Sequence, residues 1–377
     1  MLSTQASSST SSAWITNSSE AIEIQFLPAQ DPEEQESFHP EFTYPIFGTH
    51  EQIYGYKDLR IQLLYACGSL TTYLSIDHSA VAGSNADDVI GTLKKFMPDD
   101  FLTNRDVFEE RVQKEAKEFR PMGEKIAEYR VSEDGGDDRV YEIFKASFVT
   151  PRFKAYHRRL QIFMLLFVEG ASYIDEEDER WEIALVFERS GGGSEPLYRI
   201  VGYATMYPYF HYPDKLRMRI SQFLILPPFS NKGHGNRLYQ TLYQEFLSRE
   251  QIVEITVEGP NDAFSDLRDK NDLRYLISQN ALKELEAPVP KETVAELRRK
   301  YKLTKRQTQR CIEIWLLKNL NKTDPDQIKR YRLQVKERLY RFNLDALSQM
   351  ERHERLEKLE ETYRNVEEDY HRILNLL

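Results

Sequence analysis

"MRISQFLILPPFSNKGHGNRLYQTLY", residues 218–243, carries the reading of the whole chain. MRISQFLIL (218–226) is a β-rich run that stops at Pro227 and Pro228, residues unable to donate to a ladder. Beyond Gly233 and Gly235, apolar pairs recur every four residues at Leu238/Tyr239, Leu242/Tyr243 and Phe246/Leu247, so one face of a helix is apolar. A helix N-terminus offers unpaired N–H groups and the positive end of a dipole, and a phosphate seated there gains several hydrogen bonds at once. Glycines at 233 and 235 leave room for that phosphate, and glycine tolerates the positive φ that aims successive N–H groups inward. A bare G-x-G also fits an ordinary turn, so the neighbours decide.

Upstream, WEIALVF (181–187) alternates Trp181, Ile183, Leu185 and Phe187 on one side, and the loop SGGGSEP joins it to YRIVGYATMY (198–207) as a hairpin. Downstream, QIVEITVE (251–258) reads as a further strand ending in GPN, with a short helix DAFSDLRD after it. A dinucleotide-binding turn would place Glu258 at a suitable distance for a ribose, but Leu238 stands where its third glycine belongs. An antiparallel meander precedes the turn instead of a parallel βαβ unit.

Farther out, AIEIQF (21–26), RIQLLY (60–65) and LTTYLSI (70–76) read as strands of an N-terminal α+β region, and Asn104 caps a helix over RDVFEERVQKEAKEF. EDGGDD (133–138) is a tight turn before the strand RVYEIFKASF, and FKAYHRRLQIFMLLFVEG reads as one helix with a thick apolar face. From about 281 the sequence is charged and helical, with Thr304 as a cap and a basic cluster from Arg298 to Arg310 that reads as a solvated face. Leu356, Leu359, Tyr363, Val366, Tyr370, Ile373 and Leu377 form a seam expected to pack on its own domain rather than on a partner. The expected organisation is a Ser/Thr-rich tail (1–20), an α+β domain (21–150), a sheet-and-helix domain that carries the glycine loop (151–280) and a helical domain (281–377).

At 377 residues with 40% hydrophobic and 12% aromatic residues, the composition is that of a globular, multidomain protein. The longest apolar run, Ile162 to Val168, is too short for a bilayer, so no membrane segment is expected. Two cysteines, Cys67 and Cys311, make neither a disulfide framework nor a zinc cluster, and no metal is expected; a reducing compartment, cytoplasm or nucleus, fits. A formal charge of −10 disfavours a nucleic-acid surface and favours a cationic partner.

The opening stretch, together with TVEGPNDAFSDLRDKND, FVEGASYIDEEDERWEIALVFER, VGYATMYPYFHYPDK and FTYPIFG…GYKDLRIQLLY…GSLTTYLS, resembles the type B histone acetyltransferases of the GNAT superfamily, collinearly over roughly residues 21–280. The resemblance implies a mixed twisted sheet with flanking helices and acetyl-CoA as co-substrate. It implies a phosphate loop at Ser230, Asn231, Lys232, Gly233, His234, Gly235 and Asn236, with Ser230 in place of the family's Gln or Arg. It implies Phe223, Leu224 and Ile225 as the edge along which the pantetheine arm runs, and Asn261 and Lys270 as further coenzyme contacts. His234 reads as a packing residue rather than a base.

A lysine with pKa near 10.4 is only about 0.04% neutral at pH 7, so a base is needed. By the same resemblance that base is Glu258, expected in an apolar pocket, with Glu169 as a second acid; Gly259 stands where the family often has a third. Trp181, Tyr207, Tyr209 and Glu51 match contacts to a histone tail, and the acidic run IDEEDER (174–180) suits its lysines. The implied substrate is newly made histone H4 (with H3), attacked directly in a ternary complex, and the implied partner is a WD40 histone-chaperone subunit docked around residues 210–218. An acetyltransferase for another amine and a non-catalytic histone-binding adaptor are the alternative readings.

Overall fold

The computed structural model describes residues 14–27, 37–132, 139–191 and 196–377, so the EDGGDD turn and the tip of SGGGSEP lie outside the described residues. Contacts divide the chain into two units, one running to Tyr207 and including Ser221–Leu238, the other comprising Pro208–Ile220 and Tyr239–Leu377. The division differs from the expected boundaries at 150 and 280. The covalent path crosses between units inside two strands and one helix, which no composition shift marks.

The first unit begins with β1 (Ile15–Asn17), α1 (Ser18–Ala21) and β2 (Ile22–Leu27), continuing through α2 (Tyr44–Phe47), β3 (Gln52–Tyr54), β4 (Tyr56–Lys57), β5 (Arg60–Ala66), β6 (Thr72–Asp77) and β7 (Ala80–Val81). Residues 15–20 are thus built into the fold rather than belonging to a tail. Ile15 pairs with Tyr54, and Asn17 caps α1 by accepting from the Ser19 and Glu20 N–H groups. β2 and β5 pair in parallel, and β5 pairs antiparallel with β6. Alternation along β2 buries Ile22, Ile24 and Phe26.

After α3 (Val89–Lys94), α4 (Arg105–Glu118) lays Phe108 and Val112 on Leu64 and Ala66, its start capped by Asn104 as the sequence predicts. The apolar helix expected over 153–170 is two short helices, α5 (Phe153–Leu160) and α6 (Ile162–Phe167), broken at Gln161 and ended by extended Val168. All six residues of α6 are buried, an all-round apolar segment with no polar face to keep in water.

A six-stranded sheet takes the order β13-β12-β11-β10-β9-β8, from β8 (Glu124–Val131), β9 (Arg139–Ser147), β10 (Glu182–Ser190), β11 (Leu197–His211), β12 (Lys215–Ile225) and β13 (Ile252–Val257). β8 to β11 pair antiparallel where the register is given, Ser190 opposite Leu197 closing the predicted hairpin, while β12 and β13 pair in parallel. This is the mixed α/β architecture expected from the sequence.

Helix α7 (His234–Ser248) follows the glycine loop, and its residues at the predicted four-residue spacing, Tyr239, Leu242, Tyr243 and Phe246, are buried. In the second unit, α8 (Asp262–Ser278) is a full helix of 17 residues rather than the short one expected. Helices α9 (Lys291–Tyr301), α10 (Lys305–Lys318), α11 (Pro325–Phe342), α12 (Leu344–Leu347) and α13 (Arg352–Asn375) complete it.

Tyr363, Tyr370 and Ile373 of the predicted seam pack inward, where α13 meets α8, α10 and α11, whereas Leu356 is exposed. The basic stretch 298–310 is not a purely solvated face. Arg298 pairs with Glu254 at 2.7 Å, and Arg310 bridges Asp269 and Asp369, both at 2.5 Å. Both cysteines are buried and free, and no helix among the described residues is long and apolar enough to cross a membrane.

Candidate active site

In the first unit, β12 ends at Ile225 in the run Phe223-Leu224-Ile225, and one 3-10 turn, Pro227–Phe229, leads into the loop. Asn231 (φ +61°) and Gly233 (φ +88°) adopt left-handed backbone conformations, and nothing lies within 4 Å of where a Gly233 Cβ would stand. The two glycines therefore do different work. Gly233 makes the left-handed step, while Gly235 is the second residue of α7. Open space ahead of a helix N-terminus fits a diphosphate, as does exposed Lys232 beside it. The Ser230 hydroxyl reaches only back to the Ile225 and Leu226 carbonyls, at 3.5 and 3.4 Å.

The loop rests on residues that carry no local signal of that role. His234, buried at the first turn of α7, pairs its Nδ1 with the Tyr129 hydroxyl at 2.8 Å, its ring 4.4 Å from that of Tyr141. Burial lowers its pKa to about 4, so it is neutral at physiological pH and suited to packing. Phe229 lies under the Arg199 guanidinium (4.7 Å), which bonds buried Glu188 at 2.6 and 2.9 Å. Tyr129, Tyr141 and Arg199 precede the loop by up to 105 residues, and only strand pairing brings them to it.

At the same end of the sheet β11 bulges. Val186 pairs with Gly202 but Phe187 pairs with Ile200, and Val201 accepts instead from the Leu226 N–H at 2.9 Å. A Cβ on Gly202 would sit 2.4 Å from the Leu224 carbonyl oxygen, so only glycine permits this approach of β11 to the end of β12.

In the second unit the parallel ladder between β12 and β13 closes at Ile220↔Val257, and the Glu258 N–H donates to the Ile220 carbonyl at 3.0 Å. There β13 ends, while β12 runs on to Ile225. Glu258 is thus at the carboxyl end of its strand, where open sheets present ligand-facing groups. It does not occupy an apolar pocket. Its side chain is 54% exposed, because the strand has ended and Gly259, Pro260 and Asn261 after it are exposed too. Its partner is Arg219, 4.0 Å away, and Arg219 also covers the Tyr209 ring at 4.3 Å. Asn261 caps α8 by accepting from the Phe264 N–H at 2.9 Å, and half-buried Lys270 has its pKa lowered by burial and then by Arg274.

The remaining predicted residues belong to the first unit. Glu169 is exposed on the turn after α6, and the next residue, Gly170, donates its N–H to the Tyr44 hydroxyl at 2.7 Å. Glu51 is engaged structurally. Its Oε1 accepts from the Thr43 and Tyr44 N–H groups (2.5 and 3.0 Å) and the Thr43 hydroxyl (3.0 Å), fixing the start of α2. Trp181 and Tyr207 meet with ring centroids 4.8 Å apart. The acids of the 174–180 run are largely taken by the chain's own cations: Arg158 pairs with Glu176, Lys154 with Glu177 and Arg180 with Asp178. Among the described residues no cluster of His, Cys, Asp and Glu could hold a metal.

Three family models match the chain: the histone acetyl transferase HAT1 N-terminus over residues 14–169, the acetyltransferase (GNAT) family over 138–264 and the fungal HAT1 C-terminal region over 269–321. Curated relatives described as histone acetyltransferase type B catalytic subunits include one from Cryptococcus neoformans, 42% identical across 96% of this chain and 98% of its own length. Another from Mycosarcoma maydis is 39% identical (95% and 87%), and one from Homo sapiens is 34% identical (96% and 93%). With likeness of that extent over a loop and sheet of this geometry, the chain belongs to the type B histone acetyltransferase catalytic subunits, acetyl-CoA-dependent enzymes of the GNAT superfamily.

Proposed function

We propose that this enzyme acetylates lysine side chains in the N-terminal tail of newly synthesised histone H4, carried with H3, by direct attack within a ternary complex and with Glu258 as general base. The observation that carries the reading is the left-handed Gly233 with clear space ahead of α7, at the end of a strand whose ladder with β13 has already stopped. Backbone N–H groups of residues 231–236 hold the diphosphate, and the 223–225 run takes the pantetheine arm. Asn261, through the α8 start that it caps, and Lys270 complete the coenzyme contacts.

The lysine nitrogen attacks the thioester carbonyl, a C–N bond forms and the C–S bond breaks. The lysine ammonium first gives one proton to the Glu258 carboxylate, so that the attacking nitrogen is neutral; once bonded, the nitrogen gives up a second proton, which the departing coenzyme thiolate takes, and Glu258 returns the first to solvent. Glu258 is half-exposed in the free protein, so it is the bound tail that encloses this carboxylate beside the attacking nitrogen. Glu169 is a second acid for the same proton, and Trp181, Tyr207 and Tyr209 contact the tail. Phe210, near the end of β11, and Tyr212, in the turn to β12, are 70% and 82% exposed and suit docking of the WD40 histone-chaperone subunit. Replacing both by alanine should abolish its co-elution with the enzyme. Action before histone deposition places the enzyme in cytoplasm and nucleus, which fractionation would check.

Incubation with H4-tail peptide and acetyl-CoA, followed by mapping of the modified lysine by mass spectrometry, tests the substrate. Modification of spermidine but not of the peptide would favour another amine, and no turnover at all would favour the adaptor.

A further inference from the structure

The three acid–cation pairs of the 174–180 run are not equivalent. Glu176 is held by Arg158 (2.9 and 3.0 Å) and Glu177 by Lys154 (2.9 Å), both cations belonging to α5. Asp178 instead meets an aromatic floor. Its Oδ2 accepts from the Tyr207 hydroxyl at 2.7 Å and from Arg180 Nη2 at 2.6 Å, and its Oδ1 accepts from Arg180 Nε at 2.9 Å and from the Arg180 N–H at 3.1 Å. The same guanidinium lies 4.9 Å from the centroid of the Tyr207 ring, which packs on Trp181.

A planar cation resting on a tyrosine face with its edge bonded to a carboxylate is also how a basic side chain of a peptide would be gripped. The anion is the more enclosed partner, since the Asp178 side chain is 21% exposed and that of Arg180 is 65% exposed. Arg180 and then Tyr207 hold the Asp178 carboxyl well below the usual carboxylate range, so its charge is present throughout physiological pH. An exposed ion pair of this kind contributes at most about a fivefold preference, weak enough for an incoming cation to displace.

We propose that Asp178, Tyr207 and Trp181 form a subsite for a second basic side chain of the substrate tail, and that Arg180 fills it in the free enzyme as an internal stand-in. The inference rests on the reading of Trp181 and Tyr207 as tail contacts and adds to it a determinant of specificity. A polybasic tail gains from the subsite, an isolated lysine does not, and the acidic run as a whole offers less charge to substrate than its composition suggests.

The test compares KM for an H4-tail peptide with KM for a peptide whose lysines other than the acceptor are glutamine, using wild type, Arg180→Gln, Arg180→Lys and Asp178→Asn. Arg180→Gln should lower KM for the polybasic peptide about fivefold and leave the single-lysine peptide where it was, and Arg180→Lys should restore most of the wild-type value. Asp178→Asn should raise KM for the polybasic peptide by a similar factor and bring the two peptides together. KM for acetyl-CoA reports whether each variant is intact. An unchanged or raised polybasic KM in Arg180→Gln, or an equal gain with both peptides, overturns the subsite while leaving histone-tail acetylation standing. Failure of the wild type to acetylate either peptide overturns both.

Discussion

Strand β11 carries two tyrosines two residues apart, and each unit covers its own with an arginine that also reaches a carboxylate. In the first unit Arg180 lies over Tyr207 and Asp178 accepts four hydrogen bonds at 2.6–3.1 Å. In the second, Arg219 lies over Tyr209, donates to its hydroxyl at 3.3 Å, and meets Glu258 only at 4.0 Å. The residue types match and the tightness does not. A carboxylate held by several short bonds is a fixed anion, suited to orienting a cation. One with a single long ion pair can reorient toward an incoming group.

The largest expected effect tests that distinction directly. Glu258→Gln should cut turnover by about 10² or more while KM for acetyl-CoA stays within about twofold, as steady-state kinetics would show. Turnover at the wild-type level across the pH range would remove Glu258 from the chemistry and leave the two groups alike. Next in size, Gly233→Val forces a side chain into a left-handed conformation and into the space ahead of α7, so KM for acetyl-CoA should rise about tenfold. Because this change touches neither tyrosine, KM for the tail peptide should move far less, which isolates the coenzyme side from both groups.

A smaller contrast separates the tyrosines. Tyr207→Phe deletes a short bond to Asp178 and should raise KM for the tail about threefold, whereas Tyr209→Phe removes the longer bond from Arg219 and should cost less than about twofold. Equal effects would collapse the comparison.

The smallest effect at neutral pH concerns stability, and the units should respond with opposite sign. Burial lowers the pKa of His157, which faces Glu176, to about 4, and lowers that of His234 similarly. As pH falls from about 6.5 to 4 the unfolded chain takes up protons that these folded residues refuse, so the first unit loses stability. Burial raises Asp272, which faces Arg268, Asp269, Tyr239 and Gln307, to about 6. As pH falls from about 6 toward 4 the folded form takes up the proton first, and the second unit gains. Hydrogen exchange corrected for intrinsic rates at pH 7 and pH 5 should show protection falling in α5 and holding or rising in α8 and α10. A parallel loss in both would contradict the assignment.

Much of the site was legible because its signals are local. The glycine loop, the proline stop, the four-residue spacing of α7 and the caps at Asn104 and Thr304 each lie within a few residues of what they control. Other features were not. The break at Gln161 divides a run whose apolar residues could serve one helix or two, and residues 15–20 look like a tail until Ile15 meets Tyr54. Glu51 reads as a histone-tail contact by resemblance, and nothing in the local sequence says that its Oε1 accepts from the Thr43 and Tyr44 N–H groups at the start of α2. Gly202 carries no motif at all; its necessity comes from the Leu224 carbonyl on the next strand.

The sequence alone determined the glycine loop, the helix that follows it and the family, because backbone preference and motif residues are written within a few neighbouring positions. Tertiary structure alone decided that the chain divides inside β11 and β12, that His234 rests on Tyr129 and Tyr141, that Glu258 stands half in solvent, and that the acidic run is largely answered by the protein's own cations. Which partner a charge or a ring acquires depends on residues tens to more than a hundred positions away. That choice is made by packing, where burial sets the cost of every group left unpaired.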